Sequence, residues 1–521
     1  MDCWLGAEIA RARNPAPAAA IGIVLARASA VASASAQFVI IPMRRVAIGA
    51  AAVAPIAWLQ RNFAATGWGN KPLPPKSKII VVGAGVVGVS TAHNLSQRGF
   101  DVHVLEHSHE ICSTSAASWG NAGTLGISST TIPLSSMPMK IVNALVKSWR
   151  APSPQSGEGV FFDLATLRDS YFYLWGLTYI RSGIGELLRE KHSLNELSQS
   201  VTFEVAAAEG LTRAADMRVS GRTAVISVAT ESGPSPATPP PLLSKREPSI
   251  SCPRAVTCEL KEGDAQGSCE AFTKGLADAC KRKYRTRFEV GVAVREILVD
   301  GNGRCTGVRV LRTDSGAEEV IQADAVVLCN GANVAPLART AGLYVPVQPL
   351  RGYSITAPAK RKSIKDHLTF APSHLYATRL GSDVRFTCFG EMAPVRSEAG
   401  PGEPNEGLAK ALRELVELEI PNVADLCEWH KAVAWVGSRP LSPDCRPLTG
   451  ETRVPGLYLN VGHSFNGWRE AVLSARYLGD VLSGEETQEA AVGRQYSPRR
   501  FQPLPWTWHD VYRGLGMMFG G

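Results

Sequence analysis

No C-x-x-C pair occurs among the eleven cysteines, and their number is odd. That excludes a zinc ribbon or a dithiol redox pair and argues against a disulfide framework. Scattered single cysteines fit a reduced compartment, where most serve as small buried apolar residues. No metal site is expected. A cationic surface broad enough for nucleic acid is also missing. The formal net charge is +8, but residues 1–76 alone hold eight Lys or Arg against two acids. The remaining body is almost neutral. A surplus confined to one end marks a targeting signal more readily than a binding surface, so nucleic acid is not a partner. The apolar run Val46–Leu59 has 14 residues and contains Pro55. That falls short of the roughly 20 needed to span a bilayer.

What is present begins with the leader. Residues 1–76 are rich in Ala, Ser and Arg, and Asp2 and Glu8 are their only acids. Arg11, Arg13, Arg27, Arg44, Arg45 and Arg61 punctuate apolar stretches, as in a mitochondrial presequence. A signal peptide or short membrane anchor, starting from Met43-Arg44-Arg45, is the alternative, and Met43 is an alternative start site. Asn70–Lys76 contains three prolines and reads as a stiff linker into the body.

The body opens with a nucleotide-binding pattern. Lys78–Val82 is a short β-branched run suited to a buried parallel strand. Gly83, Gly85 and Gly88 follow at G-x-G-x-x-G spacing, Val89–Arg98 has helical periodicity, and Phe100–Leu105 is a second strand ending at Glu106. Gly83 permits the tight turn, Gly85 admits a pyrophosphate to the backbone, and Gly88 lets helix and strand pack closely. The helix N-terminus, with the backbone of Val87 just ahead of it, offers N–H groups and a positive dipole to phosphate. Glu106 accepts from ribose hydroxyls and disfavours a 2′-phosphate. A lone glycine motif is weak, but five elements in the right order within 29 residues are specific.

Two further strands end in glycine turns: Ala325–Cys329 before Asn330-Gly331, and Leu457–Val461 before Gly462–Gly467. Phe288–Val299 and Gly307–Arg312 are also strand-like. Strand and glycine turn at three distant places imply one sheet gathered around one ligand. An NAD domain is normally contiguous, so this dispersal favours FAD. Ser113–Leu125, a run of Ser, Ala and Gly, is suited to lie under the cofactor. Residues 160–200 are helical in pattern and aromatic, as in the core of a second domain, and residues 231–241 read as a surface loop.

These segments resemble the D-amino-acid-oxidase family of flavoproteins, and most of all its D-amino acid dehydrogenase small-subunit group. The resemblance is carried by Ile79–Glu106, Ser118–Gly123, Glu262–Ser268 with Phe272-Thr273, and Ala323–Ala332. It continues through Pro349–Ser354, Gly437–Asp444, Asn460–His463 and Gly467-Trp468. It implies an α/β fold: a Rossmann-type FAD-binding domain assembled from discontinuous segments, and an α+β substrate domain with a mixed or antiparallel sheet. The expected limits are 77–125, 260–340 and 430–490 for the first, and 126–259 and 341–429 for the second, with 491–521 a C-terminal tail.

The resemblance also implies roles. Gly83, Gly85, Gly88 and Glu106 hold the ADP part of FAD, the backbone of Val294 touches adenine, and Asn330-Gly331 turns against the cofactor. Asn121, Gly123, Gly462, His463 and Gly467 lie beside the flavin ring. Arg439 binds a substrate carboxylate, a task suited to its planar fork. Tyr353 is a candidate pocket residue with core packing an equal alternative, and His463 is either a fixed neighbour of the ring or a proton-transfer group. The implied reaction is oxidative deamination of a small amino acid, a D-isomer, by hydride transfer from Cα to flavin N5, giving a 2-oxo acid and ammonia. Quinone, a carrier protein or O2 would take the electrons. Sarcosine- or glycine-type amine oxidation is the rival within enzymes, and an FAD-holding mitochondrial assembly factor is the rival outside them. Three departures stand out. His107 replaces the frequent Arg or Lys after the ribose acid, and residues 211–241 fit the family poorly. Neither a Cys within Trp435–Arg439 nor a His at Gly120 is present for covalent flavin attachment, so the FAD is expected to be non-covalent.

Overall fold

The computed structural model describes residues 72–128, 160–181, 191–227, 239–371, 373–396, 400, 402–485, 487 and 493–501. The leader up to residue 71, the C-terminal tail beyond 501 and most of the 231–241 loop lie outside them. Strand β1 (Lys78–Val82) runs into helix α1 (Val86–Gln97) and returns as strand β2 (Asp101–Glu106). Around this unit stands a six-stranded sheet in the order Leu448–Glu451, Leu457–Val461, Ala325–Leu328, β1, β2, Arg287–Val290. All neighbours pair in parallel except the antiparallel edge strand Leu448–Glu451. The three strands that end in glycine turns therefore lie side by side at its centre, as their sequence pattern implies.

Period-two alternation explains why β1 is apolar throughout. Ile79 and Val81 enter the core formed with α1, the helix Cys269–Ala279 and the C-terminal helix Gly467–Ser483. Ile80 and Val82 face the opposite core, against the antiparallel strands Val292–Val299 and Cys305–Arg312 and the helix Val334–Thr340. A strand covered on both faces has no position for a polar side chain. The expected single strand Phe288–Val299 is two strands. Gly291, at φ +70°, breaks it into Arg287–Val290 in the parallel sheet and Val292–Val299 in a three-stranded antiparallel sheet.

The second large sheet has eight strands and is mixed. Its order is Val433–Leu441, Gln348–Pro358, Asp383–Met392, Leu375–Leu380, His367–Ala371, Arg222–Ser227, Ala255–Lys261, with Val160–Phe162 parallel to Asp383–Met392. Helix Glu406–Glu419 covers one face through Leu408, Leu412, Leu415 and Val416, and Asn405 caps it by accepting from the Leu408 amide at 3.2 Å.

Two of the expected domain limits change. Val433–Leu441, assigned to the FAD domain, pairs along its whole length with Gln348–Pro358 and belongs to the substrate sheet. Helix Lys191–Ala208, assigned to the substrate domain, buries Leu194, Val201 and Val205 in the nucleotide-domain core. Both departures arise from pairings between distant segments, which chain order does not reveal. The ten cysteines among the described residues are free, and nine of them are buried. No helix among the described residues is long and apolar enough to cross a membrane.

Candidate active site

A single continuous cavity of about 1230 Å³ runs from Glu106, past the glycine turns, to Arg439 on the second sheet. At its nucleotide end the glycines act by what they lack. Gly83 sits at φ +101°, and a Cβ there would lie 3.0 Å from the Cys329 carbonyl oxygen. A Cβ at Gly88 would lie 1.9 Å from the Gly83 carbonyl oxygen, so helix and turn touch backbone to backbone. Gly85 precedes the first turn of α1 and has no side chain to cap it. Ser118 does so from another segment, its Oγ accepting from the Val86 amide at 3.0 Å. The first amide of α1 to find a backbone acceptor is that of Val89, on the Gly85 carbonyl. The Val87 and Gly88 amides are thus left for a phosphate.

Glu106 lies at the end of β2 and closes this end. Its Oε2 accepts from the Ala84 amide at 2.7 Å and its Oε1 from the Ser108 amide at 2.9 Å. Burial opposes its ionisation, but hydrogen bonds from His107 and these two amides outweigh that and hold its pKa below the usual carboxylate range. The carboxylate fixes the glycine turn and also lines the cavity, at the position where the resemblance expects a ribose. Val294 lines the adenine side of the cavity, at a bulge where Arg309 and Val310 pair with Glu296 and Val294. Asn330 donates to the Asn333 carbonyl at 2.9 Å, while its Oδ1 is buried without a partner beside the cavity. Gly331 follows at φ +58°.

Toward the middle, Asn121 accepts from the Gly123 amide at 2.9 Å and so shapes the turn instead of reaching outward. Gly123, at φ +70°, leaves no space for a Cβ, which would lie 2.6 Å from Leu380. Arg385 braces this turn by donating to the carbonyls of Trp119 and Asn121 at 2.9 and 3.1 Å. Gly462, at φ +75°, and Gly467 flank His463 ahead of the C-terminal helix, whose N-terminus opens on the cavity. Trp435 spans the space between two segments: a Cβ at either Gly120 or Gly437 would fall within 2.2 Å of its indole.

Tyr353 and His463 each had two readings, and their surroundings bear on both. Tyr353 packs with Val436, Leu408 and Leu412 under helix Glu406–Glu419. Its hydroxyl donates to Glu391 at 2.6 Å and accepts from the Asn405 amide at 3.0 Å. Burial, with the Glu391 carboxylate beside it, raises its pKa well above the ordinary value. Its hydroxyl is thus tied into the core, while the residue also borders the cavity. His463 is 1% exposed, and burial pushes its pKa down to about 3. Ser474 Oγ, 2.9 Å from its Nε2, itself donates to the Ala471 carbonyl, so the imidazole is held as the neutral Nε2–H form. His463 is a fixed wall of the cavity and does not exchange protons near neutral pH.

Arg439 lines the far end of the cavity. The strand Val433–Leu441 sets it opposite Leu350, and its guanidinium lies against Gly352 with the Phe465 ring 5.8 Å from Cζ. Among the described residues no carboxylate pairs with it and no acceptor takes its N–H groups. Burial pulls its pKa down, opposed by Tyr376 and Cys388, yet the side chain stays half-exposed because it opens to the cavity itself. By contrast Arg222, also on the cavity wall, is neutralised by Asp264 at 2.8 Å. Tyr376, Ser118, Trp435 and Phe465 complete the site and carry no signal of their own in the sequence. Only the Ser-rich run around Ser118 pointed to one of them.

A cavity with a dinucleotide fingerprint at one end and a helix N-terminus at its middle suits a ligand that is both nucleotide and flavin. FAD fits it, and the architecture is that of an FAD-dependent oxidoreductase. The family model described as FAD dependent oxidoreductase (DAO) matches residues 78–481, and the chain belongs to that family. D-amino acid dehydrogenase of Cereibacter sphaeroides is 30% identical, with 82% of this chain and 97% of that protein covered. That of Rhizobium rhizogenes is 29% identical over 79% and 97%. Among solved structures, glycine oxidase from Geobacillus kaustophilus superposes with a TM-score of 0.57 at 18% identity, covering 81% of this chain and 98% of that one. L-proline dehydrogenase from P. horikoshii gives 0.52 at 18%, over 82% and 99%. At such identities these structures establish the shared fold.

Glu106→Ala removes both the ribose acceptor and the anchor of the Ala84 turn. FAD affinity, followed by recovery of flavin fluorescence, should fall by at least about tenfold, since each hydrogen bond to a charged group contributes roughly 1.5–3 kcal/mol. Wild-type affinity in the variant would place the ribose elsewhere.

Proposed function

We propose that the protein oxidises a small amino acid, a D-isomer, to its imino acid, which water converts to a 2-oxo acid and ammonia. The observation that carries this reading is Arg439: a guanidinium on the cavity wall with no carboxylate beside it among the described residues. A substrate carboxylate is the partner its fork fits. The relatives named D-amino acid dehydrogenase support the D-isomer.

When bound, FAD supplies the two-electron acceptor for the Cα–H bond. Its ADP part would be held by the glycine turn, the α1 amides, Ser118's neighbourhood and Glu106, and its ring by Asn121–Gly123 and His463–Gly467. The chain's own contribution is positional. Arg439 fixes one end of the substrate, and Phe162, Leu350, Tyr376 and Met392 shape the wall around it. Holding the reacting carbon in one orientation removes much of the entropic part of the barrier. No titrating side chain is required if the amine binds neutral. Quinone, a carrier protein or O2 would reoxidise the cofactor.

We also propose that the FAD is non-covalent. The indole of Trp435 packs on Gly120, so a histidine at that position would have no room, and the cysteines near the cavity are buried thiols. Burial pushes Cys329 and Cys388 each up to about 12, far from the thiolate form that alkylates. Acid precipitation should leave a colourless pellet. Yellow protein would reject the proposal.

The basic leader, which up to residue 71 lies outside the described residues, supports mitochondrial import. Residues 1–76 fused to a reporter should enter mitochondria and be cleaved ahead of Lys78. A cytosolic or secreted reporter would remove that reading.

The central test is anaerobic bleaching of the flavin by a panel of D-amino acids, glycine and sarcosine. Wild type should bleach fastest with small D-amino acids. Arg439→Ala, at equal FAD content, should lose roughly 2–5 kcal/mol of substrate binding, as when one partner of a buried charge pair is truncated. Arg439→Lys should retain charge but not the bidentate fit. Preference for sarcosine or glycine would move the substrate class. No bleaching by any of them would leave FAD as a structural ligand.

A further inference from the structure

The backbone torsions of Gly352 do not require glycine: its φ lies outside the left-handed region. Space requires it. Gly352 lies within the long strand Gln348–Pro358, between Val433–Leu441 and Asp383–Met392, and faces Gly437 across the first of these pairings. A Cβ built on it would stand 2.3, 2.5 and 2.6 Å from Nη1, Cζ and Nη2 of Arg439. No real Cβ tolerates such distances, so the guanidinium rests in the volume that any other residue would fill. Phe465, from the loop ahead of the C-terminal helix, lies within cation–π range of the same group. Arg439 makes no hydrogen bond or ion pair that would hold its head among the described residues. Packing must therefore do so.

We propose that Gly352 is a positioning residue: the missing side chain is the seat that sets the depth of the Arg439 guanidinium in the cavity. The inference rests on the reading of Arg439 as the carboxylate anchor. It explains why a glycine, which weakens a strand interior, occupies a position paired on both sides, with Gly437 and Gly390, beside the register shift at Tyr353. Displaced by one Cβ, the arginine would keep its charge but not its place. A bidentate pair is sensitive to such a shift, because both N–H groups must meet both oxygens.

The test uses the FAD-loaded protein as wild type, Gly352→Ala, Arg439→Ala and the double variant. Benzoate, read by its perturbation of the flavin spectrum, serves as the carboxylate probe, and each protein is also scored for FAD affinity and Tm. Gly352→Ala should weaken benzoate binding on the order of tenfold or more, as when a packed group is forced aside. Its FAD affinity should stay within about twofold, since the nucleotide contacts lie elsewhere. The decisive comparison is the cycle. Once Arg439 is alanine, the three atoms nearest to the extra Cβ are gone, so adding Gly352→Ala should change neither Tm nor benzoate affinity further. If Gly352→Ala is too unstable to load alone, recovery of a folded, FAD-loaded protein in the double variant supports the seat equally. Equal Tm losses with and without the guanidinium would overturn it, because the glycine would then serve the backbone. Wild-type benzoate binding in Gly352→Ala beside a loss in Arg439→Ala would also overturn it, leaving the anchor intact. Unchanged benzoate binding in Arg439→Ala would instead reject the anchor.

Discussion

A guanidinium held away from bulk water with no carboxylate beside it is an unfavourable arrangement, and the substrate half of this fold is organised around tolerating one. Desolvation of an ion has to be offset by a partner, and Arg439 has none among the described residues. Arg222, a short distance along the same wall, shows the alternative: it is neutralised by Asp264, whose carboxylate also gathers the Ile127 and Ser128 amides. The second arginine holds a loop, while the first faces the cavity without such a partner among the described residues. On the proposed reading, a substrate carboxylate completes the interaction that the protein leaves open.

That arrangement depends on two sheets meeting at one cavity. The parallel sheet delivers three glycine turns to the cofactor, and the mixed sheet delivers the strand Val433–Leu441 with Trp435 and Arg439. Between them, Trp435 rests on Gly120 from the first body and on Gly437 from its own strand. Small residues at these points allow large rings and a guanidinium to lie directly on backbone.

The nucleotide half was legible in the sequence because its signals are local. A β-branched run, fixed glycine spacing, helical periodicity and a terminal acid all fall between Lys78 and Glu106, and the structure joins them as expected. Arg439 was legible only through its surrounding motif. For Tyr353 the sequence left pocket and core equally open, and the partners that tie its hydroxyl down, Glu391 and the Asn405 amide, come from segments distant in the chain. The domain limits failed at Lys191–Ala208 and Val433–Leu441 for a different reason. Each packs against a segment far away in the chain, and only tertiary structure states which. Ser118 as the cap of α1 was hidden in the same way, since a cap is normally sought beside its helix.

The packing of the C-terminal helix Gly467–Ser483 against α1 has a consequence for biogenesis. The glycine fingerprint leaves the ribosome early, but the helix that completes its core and the flavin side of the cavity is among the last segments made. Until then the apolar face of α1 lacks its cover, a condition that invites aggregation in nascent chains. FAD, whose cavity is lined both by the fingerprint and by the start of this helix, stabilises the fold that brings them together and so draws the folding equilibrium forward by mass action. Cofactor supply thereby bears on folding, apart from any effect on how fast each molecule turns over.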